Sequence, residues 1–175
     1  ITGINKGQNI GDLVNISGTV GAALWAARNG IPAFAVSQGL AANISYTEAA
    51  RYTAQMVATF RGSVTFRSRL RGVGGRPKIL NINFPTCVEG SVRGVRAVPL
   101  GRSQQVVGYE EGASADVWDP VVVNTPLGST DCTSTLRSQR TDLEAMNNGF
   151  ASVTPLNVDL TNDGLIRPLV RFVER

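Results

Sequence analysis

The chain has 175 residues, with 17 Lys and Arg against 13 Asp and Glu, a net charge of +4, and a composition 42% hydrophobic and 17% charged. That is enough chain and apolar material for one globular domain with a real core, and it excludes a disordered polypeptide. There is no His, so the commonest general base and metal ligand is missing, along with every Ser-His or Cys-His nucleophile pair.

In chain order, Ile1 to Ile4 reads as the end of a buried strand, and residues 5–18 as a Gly- and Asn-rich loop. A helix is expected from about Thr19 to Asn29, with Ser17 as N-cap and Gly30 as its stop. Ile31 to Ser37 is an apolar run of strand length. Thr47 is expected to cap a second helix whose core face carries Ala50, Ala54, Val57 and Ala58. Arg67, Arg69, Arg71 and Arg76 then surround a Gly-rich turn and read as a solvated loop, with contact to a polyanion as the lesser reading. They are not interleaved with aromatics, so no specific nucleic-acid partner is expected.

Lys78 to Phe84 reads as a third strand, stopped by Pro85. Strand, helix, strand, helix, strand, with crossovers long enough for parallel pairing, implies an α/β fold: a Rossmann-like layered sheet with parallel core strands. Beyond residue 90, Val92 to Leu100 and Gln105 to Tyr109 suggest a hairpin linked through Gly101-Arg102-Ser103. Asp116 to Arg140 reads mostly as turn and loop, Asp142 to Asn148 as a helical turn or two, and Ser152 to Leu160 as a strand ending at Asn162-Asp163-Gly164. The chain is thus one domain in three stretches: an α/β core over 1–90, a hairpin and loop extension over 91–140, and a return to the core with a tail over 141–175. Its apolar runs are short and broken by Gly and Arg, so no membrane span is expected.

Cys87 and Cys132 are too few and too far apart for a zinc site. Each lies in a polar loop rather than inside an element, which favours a disulfide over two buried thiols and, with it, an oxidising compartment. The chain begins without Met, inside an apparent strand, so the absence of a leader carries no weight.

The stretch most suited to chemistry is Thr2 to Ala23. Asn5 and Asn9 stand where a parallel strand ends, the usual ligand edge of an open α/β sheet. Ser17-Gly18-Thr19 opens a helix, where unpaired N–H groups and the helix dipole suit a phosphate. An Asn carbonyl at such an edge can ligate a hard cation such as Mg2+, Mn2+ or Ca2+. Ordinary helix entry is the competing reading of this loop, which matches neither the P-loop nor the dinucleotide fingerprint.

Gly3-Ile4-Asn5-Lys6-Gly7-Gln8-Asn9-Ile10-Gly11 followed by Ser17-Gly18-Thr19-Val20-Gly21-Ala22-Ala23 resembles the SurE (survival protein E) family. The resemblance continues through Gly30 to Ser37, Leu80 to Pro85 and Asn148 to Leu160. It implies a divalent-metal-dependent phosphomonoesterase acting on nucleoside 5′- and 3′-monophosphates. It assigns Asn5 to the metal and to catalysis, makes Ser17, Gly18 and Thr19 the phosphate loop with Ser17 and Thr19 also catalytic, and adds Asn9 to the phosphate-binding residues. It also implies a homodimer or tetramer built through the hairpin and tail. Tyr109, Trp118 and Leu169 to Phe172 would then lie either at that interface or in the core, with a base platform as a lesser role for Trp118. Thr130-Asp131-Cys132-Thr133 and Thr141 to Ala145 look more like secreted members, which supports Cys87–Cys132 pairing and a secreted or periplasmic location.

Two departures stand out. The family's Asp-Asp pair near the amino terminus, and a Ser some thirty residues later, have no counterpart here; Asp12, Asp116 and Asp119 do not reproduce the pair. Thr2 also stands where Ser is usual. The expectation is half an active site, completed by a separate amino-terminal fragment or else inactive. The alternatives are a non-catalytic anion-binding module, or another hydrolase on the same scaffold using Ser17 as nucleophile.

Overall fold

A computed structural model of the chain describes residues 1–71, 78–102, 106–114, 116–122 and 130–158. A five-stranded sheet runs in the order β1-β2-β3-β7-β4, from β1 (Thr2–Lys6), β2 (Phe34–Gln38), β3 (Lys78–Phe84), β7 (Ala151–Asn157) and β4 (Val95–Ala97). β1, β2 and β3 are parallel, β7 runs antiparallel to β3, and β4 is parallel to β7. The layered α/β sheet with parallel core strands is therefore present.

Helix α1 (Gly18–Arg28) forms where expected, with Ser17 Oγ accepting the Val20 N–H at 3.1 Å. It ends as Ile31 N–H returns to Ala26 O at 3.0 Å, a turn that needs the positive φ of Gly30, +76°. On one face of the sheet, Val20, Ala23 and Ala27 of α1 cover Ala33, Ala35 and Ile79. The other face buries Phe34, Val36, Leu80, Ile82 and Phe84 beneath α2 (Thr47–Gly62) and α3 (Val64–Arg71). Phe60 joins that layer by edge-on contacts with Phe34 and Phe66, at centroid distances of 5.8 and 5.7 Å.

Several expectations are corrected. Thr47 is the first residue of α2 and does not cap it; the N-cap is Tyr46, without a side-chain bond. The core stripe of α2 is Ala49, Tyr52, Thr53, Met56, Val57 and Phe60, whereas Ala50, Ala54 and Ala58 are exposed. Small alanines mark neither face, so the larger side chains decide which one is buried. Arg67, Arg69 and Arg71 lie on α3 rather than in a turn, and Arg76 falls outside the described residues. Among the described residues the expected pairing is replaced: β4 joins the main sheet, and β5 (Val106–Glu111) pairs with β6 (Trp118–Val122) as a separate antiparallel ribbon. The loop expected from Asp116 onward thus contains a strand.

Tyr109 and Trp118 stand exposed on that ribbon, which sets aside core packing for both. Helix α4 (Asp142–Asn147) is capped by Thr141, whose Oγ1 accepts the Glu144 N–H at 3.2 Å. Leu169 to Phe172, the Asn162-Asp163-Gly164 turn and the tail lie outside the described residues. Cys87 and Cys132 are disulfide-bonded, with Cα atoms 5.6 Å apart.

Candidate functional site

The parallel strands end in polar residues on the face that α1 covers. Ser37, Asn83 and Ser152 lie side by side across β2, β3 and β7, and Ala35, Asn81 and Thr154 form the next row. All six are buried. Apolar residues closer to the strand starts on this face pack under α1, while the polar end receives the loop that follows β1.

Asn9 is the contact between loop and floor. Its N–H donates to Asn83 Oδ1 at 2.7 Å, and its C=O accepts from Asn81 Nδ2 at 2.7 Å and Asn83 Nδ2 at 3.1 Å. Its own side chain donates to Ser37 Oγ at 2.7 Å. The Asn9 amide is therefore turned inward, where it locks the loop. Gln8 adds a second tie, its Oε1 accepting the Leu40 N–H at 3.1 Å.

Asn5 ends β1 differently. Its Nδ2 donates to Gly7 O at 2.8 Å, which fixes the amide plane and leaves the carbonyl oxygen as the acceptor. The approach of β1 to β2 depends on Gly3, at φ +107°, where a Cβ would meet Val36 O at 2.2 Å.

The loop then passes through a 3-10 turn, Gly11–Ile16, to the start of α1. Ser17 Oγ holds the Val20 N–H and Ser17 O accepts from Gly21 at 2.8 Å. Among the described residues, no acceptor is paired with the Gly18 or Thr19 N–H, the ordinary condition of a first helical turn. Gly18 is exposed, and Thr19 is half-buried. Thr2 Oγ1 donates to Thr19 O at 2.8 Å, holding the start of β1 against the start of α1. A groove of about 740 Å³ runs beside α1, between Ser17, Val20 and Leu24 on one side and Val98, Thr154 and Leu156 on the other. Ser17 lines this groove, while Asn5, Gly18 and Thr19 lie outside its lining.

Asp142, a residue the sequence marks only as the start of a helical turn, reaches this loop. It is fully buried, and its Oδ2 accepts the Gly11 N–H at 2.9 Å while Oδ1 accepts from Gly101 at 2.7 Å and Leu143 at 2.9 Å. Burial pushes its carboxyl up from the ordinary aspartate value, against the pull of those N–H donors. The alternating Asn81-Ile82-Asn83 pattern signals a polar sheet face, but nothing local in the sequence points from Asp142 to Gly11.

The donors this chain offers a metal are few. Asn5 supplies one neutral amide oxygen, and the described residues hold no group of three His, Cys, Asp or Glu suited to a metal ion. A hard cation takes six or more oxygen ligands, so these residues form part of a coordination shell and not a whole one. No described helix is long and apolar enough to cross a membrane.

Comparison with known proteins agrees with this geometry. The family model "Survival protein SurE" matches residues 1–106. A 5′-nucleotidase SurE of Erythrobacter litoralis is 33% identical over 166 residues, covering 95% of this chain and 62% of that protein. One from Parvibaculum lavamentivorans is 32% identical, covering 97% of this chain and 58% of its own length. Among solved structures, the SurE protein from Aquifex aeolicus superposes with a TM-score of 0.72 at 25% identity, covering 97% of this chain and 63% of that one. The chain therefore spans less than two thirds of the length of each of these relatives, and it belongs to the SurE family.

Proposed function

We propose that this chain contributes the phosphate-gripping half of a metal-dependent phosphomonoesterase for nucleoside monophosphates. The observation that carries the reading is the start of α1: two first-turn amides without acceptors among the described residues, a hydroxyl cap, and an oriented Asn5 amide near the end of the neighbouring strand. The names of the relatives, 5′-nucleotidase SurE, support the substrate class.

In this reading the Gly18 and Thr19 N–H groups and the Thr19 hydroxyl hold equatorial phosphoryl oxygens, and the helix dipole favours their charge. Asn5 Oδ1 is one ligand of a divalent cation, Mg2+ or Mn2+, with Ca2+ as a third candidate. When bound, that cation polarises the phosphoryl group and lowers the pKa of a water. The remaining ligands would be further oxygens, a set that the described residues do not hold on their own. Among the described residues β1 is an edge strand, and Ile1, Ile16 and Trp25 are exposed, which supports a further segment packing there. Ser17 is a positioning cap; with its Oγ on the Val20 N–H and no His in the chain, a nucleophilic role is unsupported.

The exposed Tyr109 and Trp118 support an oligomer built through the β5–β6 ribbon. The Cys87–Cys132 bond supports a secreted or periplasmic location. The test is hydrolysis of AMP and p-nitrophenyl phosphate with Mg2+ or Mn2+, and again with EDTA, alongside intact mass spectrometry of the preparation. Metal-stimulated, EDTA-sensitive release in a preparation containing an Asp-Asp segment is expected. No release from such a preparation would defeat the proposal.

A further inference from the structure

We propose that Asp142 is the positioning residue of the phosphate loop, acting through the Gly11 N–H from 131 residues away. The inference rests on the phosphatase reading above. Four observations carry it: the burial of the side chain, its use of both oxygens, the absence of a paired cation among the described residues, and the place of Gly11 in the loop.

Asp142 is 0% exposed. Among the described residues the salt bridge found is Arg51–Glu48, so three backbone N–H groups balance its charge instead. A buried carboxylate without a cation is a costly device. The donors lie on opposite oxygens: Gly101 and Leu143 on Oδ1, Gly11 on Oδ2. Only a group that accepts at both ends satisfies them. An Asn accepts at one oxygen and presents an NH2 to the other donor, so a neutral isostere cannot hold both loops.

Gly11 sits two residues after Asn9, at φ +53°, and opens the 3-10 turn that delivers Ser17 to α1. Asn9 is fixed by the asparagine floor, and Ser17 and Thr19 by the cap and by Thr2. Between those anchors Asp142 ties the loop to Gly101, beyond β4, and to the first turn of α4. It thereby sets how far Asn5 lies from the α1 amides, the spacing that a cation and a phosphoryl group bridging them must match.

Asp142→Asn is a selective lesion, since it keeps the acceptor for Gly101 and Leu143 while opposing the Gly11 N–H with a donor. The experiment uses the intact, active protein at a temperature where circular dichroism shows both forms folded. Hydrogen exchange is expected to accelerate at the Gly11 amide and not at Gly101. The inhibition constant of inorganic phosphate is expected to rise about 10- to 100-fold, the scale of an ångström-sized misplacement. Asp142→Ala should accelerate exchange at both amides. An Asp142→Asn protein with wild-type exchange at Gly11, or with wild-type phosphate inhibition, overturns the positioning role. A wild-type protein that hydrolyses no phosphomonoester overturns the functional reading instead, and with it the purpose assigned to the latch.

Discussion

Asn9 donates its side-chain amide to Ser37 Oγ at 2.7 Å, and Asn83 grips the same residue's backbone at both N–H and C=O. The loop carrying the candidate site is thus seated on the sheet through a buried amide cluster. Truncating one member leaves buried groups unpaired, which costs more than the bond itself contributes. Asn83→Ala is expected to lower unfolding free energy by about 2–4 kcal/mol, read from the urea midpoint. A loss below about 0.5 kcal/mol would show that the cluster is not holding the loop.

The Ser17 hydroxyl separates capping from phosphate binding. Ser17→Ala is expected to cost about 1 kcal/mol of stability, while Ser17→Asp keeps a capping oxygen. In the active protein, Ser17→Asp should retain near-wild-type stability yet lose most phosphatase activity, because its charge opposes the phosphoryl oxygens. Full activity in that variant would move the phosphate elsewhere.

Two glycines give a paired test of backbone geometry. Gly3 has φ +107° and no space for a Cβ, whereas Gly21 lies within α1 with nothing inside 4 Å. Gly3→Ala is expected to destabilise by about 3 kcal/mol or more, and Gly21→Ala to stabilise by up to about 1 kcal/mol. Thermal unfolding of the two variants checks both signs.

The disulfide closes a loop with a sequence separation of 45. Chain-entropy reasoning gives about 4 kcal/mol for a loop of that size. Paired Cys87→Ser and Cys132→Ser substitutions should lower the unfolding free energy by about 2–4 kcal/mol in denaturant, and reductant should affect the wild type alone.

Asp142 should also leave a mark on the pH dependence of stability. Its carboxyl is raised by burial, so the folded state keeps the proton to higher pH than the unfolded chain. The associated stabilisation is complete below the ordinary carboxylate range, is lost as pH rises through the folded value, and is level above it. Glu48 and Asp131, lowered by Arg51 and by Thr133, contribute with the opposite sign. The difference in unfolding free energy between wild type and Asp142→Asn should therefore shrink as pH rises from about 3 to 7. A difference that grows over that range contradicts the assignment.

Much of the core was legible because its signals are local. Ser17 before an alanine-rich run, Gly30 after it, and Lys78 to Phe84 before Pro85 each mark an element by its own chemistry. The failures are tertiary. β4 leaves its sequence neighbour to pair with β7, a choice settled by where Ala151–Asn157 lies. The stripe of α2 is set by Tyr52, Met56 and Phe60 packing on β2 and β3, and alanines at neighbouring positions gave no direction. At the site, Ser17 and the strand-end asparagines could be read from the string, but the inward turn of Asn9 and the reach of Asp142 required the fold.

In the proposed site the α1 amides hold a phosphoryl group beside a cation bound by Asn5. Crystals of the active protein soaked in Mn2+ and tungstate, a heavy phosphate mimic, test it through anomalous scattering. The expected result is a manganese peak in coordination contact with Asn5 Oδ1 and tungstate against the Gly18 and Thr19 N–H groups, both lost in Asn5→Ala. Tungstate bound elsewhere, or manganese bound equally well without the Asn5 side chain, would contradict it.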